Sequence, residues 1–397
     1  MRRLFQIKES SSTMEHLVGV GLLLAFLLPQ TSTPLLLVNP LLCLVLVILS
    51  KNRKNCRCFW IVLIPLCISL VLNIAGIIQQ KALLMWLTIV MYFTLFPMVG
   101  PVKVRNSYLY ICLSFIILSQ FAYLLNIGGL TNFLDIYYPI AEGDTNYYSY
   151  MRSNITYENF IDYRLGGLYR NPNQCSRYLT LLLAFFVVSN RKEPLRNQFL
   201  FCGLALAAVL LTGSRTGLAV AILILFFSLF RRSELSLVKV LVVLAFIVAG
   251  FIIVSSKIGE MRGLNFQGGL SSSFNLKWVT FYNYLVGENS MLSILFGHLD
   301  SSQFRSMAIR GMDRFDTDYG NLIYCFGMVG FLLFFVFFSV IGCNMHKTSR
   351  VFFLLLFWML GSTMIMSYRA CFIFQLLLSI IYSNDQNNQI HGASQDS

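Results

Sequence analysis

Several arginines of this 397-residue chain stand where a charge is costly. Arg215 lies in Leu211-Thr212-Gly213-Ser214-Arg215-Thr216-Gly217, a minimal turn between two apolar stretches. Arg164, Arg170 and Arg177 surround Arg164-Leu165-Gly166-Gly167-Leu168-Tyr169-Arg170-Asn171-Pro172-Asn173. The paired Gly and the Asn-Pro of that run are turn chemistry, and Asn or Asn-Pro can start a helix. Arg310 and Arg314 precede Asp316-Thr317-Asp318-Tyr319-Gly320-Asn321, which sets two carboxylates at the mouth of another apolar stretch. Guanidinium forks match phosphate oxygens through paired hydrogen bonds. For any single arginine the alternative is snorkelling toward lipid headgroups. Several on one face point instead to recognition of an anion, and a lipid-linked diphosphate is the natural one at that depth. Arg369, between the last two apolar stretches, belongs to the same puzzling set.

The elements that must position these residues are apolar helices. Blocks of mostly apolar residues near 16–30, 34–50, 59–78, 82–99, 107–127, 174–190, 199–213, 216–230, 237–256, 319–341, 351–366 and 370–382 read as twelve spans. The first two are joined only by Thr31–Pro34, which predicts a tight helical hairpin. Lys and Arg collect on alternate connections: Arg2, Arg3 and Lys8; Lys51 to Arg57; Lys103 and Arg105; Arg191 to Arg196; Arg231 and Arg232; Lys347 and Arg350. These mark the cytoplasmic side. Both termini are then cytoplasmic, and two long loops, 128–173 and 257–318, face outward. Residues 1–382 form one transmembrane domain, and the polar stretch 383–397 reads as a disordered cytoplasmic tail.

Composition excludes other classes. Only 12% of residues are charged, against about 25% in a soluble domain. Hydrophobic residues make up 57%, including 35 Phe, which rules out a disordered chain as well as a soluble enzyme. An outer-membrane barrel would alternate apolar and polar residues with a period of two. The net charge of +13 is explained by cytoplasmic loops rather than by nucleic acid. Most of the ten Cys lie in apolar stretches as small hydrophobes, and no metal-ligand spacing is visible, so no metal or other cofactor is expected. The first long loop is rich in tyrosine, with Tyr137, Tyr138, Tyr147, Tyr148, Tyr150, Tyr157, Tyr163 and Tyr169. Tyrosine suits both a sugar-binding surface and an ordinary membrane interface.

The three arginine and carboxylate patterns, in this order and spacing, resemble the O-antigen polymerase (Wzy) and O-antigen ligase superfamily. Arg164, Gly167 and Asn171-Pro172-Asn173 resemble its R-x-x-G-x-x-x-N-P-N stretch. Thr212, Ser214, Arg215 and Gly217 resemble its T-x-S-R-x-G turn. Lys277-Trp278 and Leu295-Phe296-Gly297-His298 resemble a Trp followed by an apolar-Phe-Gly segment in the second outer loop. The resemblance covers roughly 160–335, together with the hydropathy profile. The chain departs from the ligase branch, which carries His-Asn about eleven residues before a G-x-x-G; here Asp316-Thr317 stands at that place. Clean R-x10-G repeats are missing from the two loops, which argues against a symmetric two-loop scheme.

The resemblance implies an all-α, polytopic inner-membrane glycosyltransferase. It would polymerise undecaprenyl-diphosphate-linked oligosaccharide repeat units into O-antigen or a related surface polysaccharide on the periplasmic face. Arg215 is the first candidate to stabilise the departing diphosphate. Arg164, Arg170, Asn171, Asn173, Arg177, Arg310 and Arg314 are candidates to bind diphosphate or glycan. Asp316 or Asp318 is the best placed general base; the alternative is that these residues cap the next helix. Expected partners are the lipid-linked oligosaccharide and membrane lipids, with a flippase and a chain-length regulator as further candidates. The competing readings are an O-antigen ligase, a twelve-helix secondary transporter and a non-enzymatic length regulator.

Overall fold

The computed structural model describes residues 12–28, 38–49, 92, 104–138, 165–169, 172–190, 195–230, 291–297, 318–343 and 368–393. Every element among them is an α-helix: α1 (Ser12–Leu27), α2 (Val38–Leu49), α3 (Asn106–Leu124), α4 (Gly128–Tyr137), α5 (Pro172–Ser189), α6 (Leu195–Leu211), α7 (Arg215–Phe230), α8 (Met291–Phe296), α9 (Asp318–Cys343) and α10 (Tyr368–Ala393). Eight of the twelve expected spans coincide with α1–α3, α5–α7, α9 and α10. The other four, 59–78, 82–99, 237–256 and 351–366, lie outside the described residues apart from Tyr92. Among the described residues, Asn106–Leu124 and Phe326–Cys343 are long and apolar enough to cross a membrane, and the other apolar helices are shorter.

The middle of the bundle is α5. It packs against α3, α6, α7 and α10. From Cys175 to Val188 every one of its side chains is buried, as expected of a helix that is apolar nearly all round. The α10 segment from Arg369 to Ile381 is enclosed in the same way. By contrast α3 has two faces. Leu109, Cys112, Leu113 and Ile116 are buried, whereas Ile111, Leu118 and Phe121 are exposed. Phe186 of α5 stacks on Phe201 of α6 at 3.9 Å, and Tyr110 of α3 meets the same ring edge-on at 5.0 Å. Phe338 and Phe374, 6.4 Å apart, join α9 to α10.

Contacts at the helix ends define two poles. At one, Arg105 approaches Glu15 at 3.5 Å, and the side chains of Asn106 and Asn190 exchange hydrogen bonds of 2.7 Å. Gln198 donates to the Asn190 carbonyl at that same pole. At the other, the last residues of α1, α3 and α6 meet the first residues of α5, α7 and α10. Helices α1, α3 and α6 therefore run one way and α5, α7 and α10 the other. This is the alternation expected from the loop charges.

Two features differ from the sequence expectation. The stretches expected as open outer loops contain helices, α4 in the first and α8 in the second. The expected disordered tail is helical as far as Ala393. Extending a helix already held by packing needs no new nucleus, so polar residues such as Gln386 and Gln389 can continue it.

Candidate functional site

The turn between α6 and α7 explains each of its unusual residues. Gly213 has a φ of 58°, the left-handed conformation that ends many helices. Thr212 donates its hydroxyl to the Val209 carbonyl at 2.7 Å and accepts the Ser214 N–H at 3.2 Å. The Ser214 hydroxyl accepts the Gly217 N–H at 3.3 Å, so Ser214 is the N-cap of α7. Arg215 follows as the first residue of that helix. A β-carbon on Gly217 would fall 1.5 Å from the Ser176 hydroxyl oxygen, so the first turns of α5 and α7 touch at this glycine.

Residues 165–169 seal the same place from the other side. The Leu165 N–H donates to the Leu211 carbonyl at 3.0 Å, tying the two turns together. Gly167 has a φ of 57°, and a β-carbon there would lie 2.4 Å from the Ser119 hydroxyl oxygen. That oxygen instead accepts the Leu168 N–H at 3.0 Å. Gln120, fully buried in α3, donates its amide to the Leu165 carbonyl at 3.2 Å and to the Ala208 carbonyl at 3.1 Å. One side chain thus holds the first loop, α3 and the end of α6 in register. Ser119, Gln120 and Ser176 were not singled out as site residues from sequence. A Ser-Gln pair inside an otherwise apolar span was the available signal, because polar side chains between membrane helices serve as hydrogen-bonding links.

The electrostatics follow from this geometry. The N-termini of α5 and α7 open side by side, and neither has an acidic residue in its first turn. The positive ends of both helix dipoles therefore lie at this pole. Arg177 is buried on α5, one turn beyond the exposed Asn173 and on the same helical face by spacing. Two helix N-termini and the buried Arg177 favour positive potential at one pole of the bundle, which suits an anion.

A second cluster closes the end of α1. Tyr169 donates to the Phe26 carbonyl at 2.9 Å, Tyr138 to the Leu27 carbonyl, and Arg369 to the Leu28 carbonyl. These carbonyls are ones a helix end leaves without internal partners, and a cation is favourable there. Tyr169 also stacks on Tyr178 at 4.6 Å. Burial pushes the Tyr169 phenol well above its ordinary pKa, Tyr178, Cys175 and Cys112 add to that, and Arg369 opposes it. Burial raises the Tyr138 phenol as well, again against Arg369. Two of the tyrosines noted in the first loop, together with Arg369, are therefore helix caps.

The second outer loop meets the bundle at Gly327. There α9 breaks, with φ 68° and ψ −177°. A β-carbon on Gly327 would lie 2.2 Å from the Leu295 carbonyl, so the backbone of α8 is seated in the break. Gly297, at φ 83°, ends α8 by donating its N–H to the Ser293 carbonyl at 2.7 Å. The Leu295-Phe296-Gly297 run is thus a docking element. Asp318 is the first residue of α9, and α9 shares no extensive contact with the helices that carry Arg177 and Arg215. Of the candidate site residues, the structure brings Arg177, Asn173 and Arg215 to one pole. Arg164, Arg170, Asn171, Arg310, Arg314 and Asp316 lie outside the described residues.

Compared with known proteins, the chain matches no family model and no curated protein.

Proposed function

We propose that this chain is a polytopic membrane glycosyltransferase of about twelve spans. In this reading it polymerises undecaprenyl-diphosphate-linked oligosaccharides on the outer face of a bacterial inner membrane. The observation that carries the reading is the pairing of the α5 and α7 N-termini, with Arg215 opening α7, Arg177 in the second turn of α5 and no carboxylate in either first turn. A diphosphate leaving group needs this kind of fixed positive potential, because its charge grows as the bond breaks.

In the proposed reaction an acceptor hydroxyl attacks the anomeric carbon of the donor. The new glycosidic C–O bond forms as the bond to the diphosphate breaks, and the diphosphate keeps the electron pair. The hydroxyl proton passes to a carboxylate, for which Asp316 and Asp318 are the candidates. Arg215 stabilises the diphosphate, with Arg164, Arg170, Arg310 and Arg314 as further ligands from the loops.

Deleting the gene in its host and separating the surface glycan on a gel tests this directly. A core carrying one repeat unit, with the ladder lost, is the expected result. Bare core with polymer stranded on the lipid carrier would replace the proposal with a ligase. An unchanged ladder would overturn the enzyme reading and favour a transporter. Arg215→Lys sharpens the test, because it keeps the charge and removes the fork. Full-length polymer from that variant would refute bidentate diphosphate binding.

A further inference from the structure

The short helix α4 is amphipathic the wrong way round for water. Its protein-facing side holds Thr131, Leu134 and Asp135. Thr131 and Leu134 are buried, and Asp135 accepts the Tyr123 hydroxyl at 2.9 Å. Its outward side shows Leu130, Phe133, Ile136 and Tyr137, exposed by 36%, 43%, 71% and 55%, with Asn132 the one polar side chain exposed beside them. A helix on an aqueous surface places its polar residues outward.

Position and direction make the same point. Asn126, at φ 49°, turns the chain after α3, and the Tyr123–Asp135 bond folds α4 back over the last turn of α3. The helix therefore lies level with the end of a candidate membrane span and does not project beyond it. The exposed face of that span carries Ile111, Leu118 and Phe121, which share one side by spacing with the small Ser107 and Ser114. It continues through Leu125 and Ile127, both exposed, onto the outward face of α4. The rings of Phe133 and Tyr137 lie 4.6 Å apart on it, and aromatic rings favour the boundary between headgroups and acyl chains.

We infer that α4 lies in the membrane plane with Leu130, Phe133, Ile136 and Tyr137 sunk among the lipid acyl chains just below the headgroups. The inference rests on the membrane reading of α3 and adds to it a lipid-contacting surface in the first outer loop. Tyr138, directly after α4, caps α1, so lipid contact at α4 also anchors the pole that carries the candidate site.

The test uses the full-length protein in lipid bilayers, with a fluorophore on Ile136→Cys, Phe133→Cys or Leu118→Cys. Labelling is corrected for the parent chain. Quenching by a lipid with a nitroxide near its headgroup is compared with quenching by aqueous iodide. The expected result is that positions 136 and 133 are quenched several-fold more by the lipid nitroxide than by iodide. Position 118 should respond to a nitroxide deeper in the acyl chain. Iodide quenching at 136 and 133, with lipid quenching kept at 118, would overturn the inference and leave the membrane reading standing. Iodide quenching at all three positions would overturn both.

Discussion

Arg215 and Arg369 look alike in the sequence, each an arginine in a tight connection between apolar stretches on the side where basic residues are scarce. Each opens a helix, Arg215 as the first residue of α7 and Arg369 as the second of α10. Arg369 is 3% exposed and donates to the Leu28 carbonyl at the negative C-terminal end of α1. Arg215 begins α7, at a positive N-terminal end, where a cation is mildly unfavourable. One arginine stabilises the bundle. Arg369 has a structural role in that cap, which leaves Arg215 the stronger candidate for chemistry.

This contrast predicts a graded series in thermal unfolding of the detergent-solubilised protein. The largest effect belongs to Arg369→Ala. Losing a charged donor from a buried carbonyl should remove about 2–3 kcal/mol. A variant that unfolds with the parent would put Arg369 on the same footing as Arg215.

Gly217→Ala should come next, destabilising by about 1–3 kcal/mol through forced separation of α5 and α7. Adding Ser176→Gly removes the hydroxyl it strikes and should recover most of that loss. An unchanged deficit in the double variant would mean that the two first turns do not set each other's spacing.

Tyr169→Phe, which deletes the bond to Phe26, should lower stability by about 1 kcal/mol. The same residue carries a pH signature. Its folded pKa is raised, so the folded state holds the phenol proton more tightly than the unfolded chain does. Its contribution is complete below the ordinary tyrosine pKa of about 10 and declines as the pH rises above it. The Tyr169→Phe variant should therefore lose stability less steeply than the parent in that alkaline range. Parallel slopes would show that the phenol is not buried.

The smallest structural effect is expected from Arg215→Ala. Removing a cation from a helix N-terminus should change stability by less than about 1 kcal/mol, in the stabilising direction. The same variant should make no polymer. A large loss of stability would turn Arg215 into a second Arg369 and remove the contrast.

Much of the helical scaffold was legible in the residues. Eight expected spans match helices because uninterrupted apolar runs leave the backbone few other ways to satisfy its hydrogen bonds. The turns at Gly167 and Gly213 were readable too, since Gly-Gly and Gly-Ser punctuate such runs. Local composition carried no sign of what those turns touch. Ser119 and Gln120 lie more than forty residues before Leu165 in the chain, yet they hold it in place. The helices α4 and α8 were missed because they are short and lie in stretches rich in polar and turn-forming residues.

The sequence alone indicated eight of the helical segments and which arginines need an explanation. Hydropathy and loop charge act locally, so they can be read residue by residue. Only the tertiary structure decided that Arg369, at the start of α10, reaches the C-terminal end of α1, and that α5 and α7 open together. The field at a helix end depends on neighbours brought in from distant parts of the chain, and spacing along the sequence does not encode those meetings.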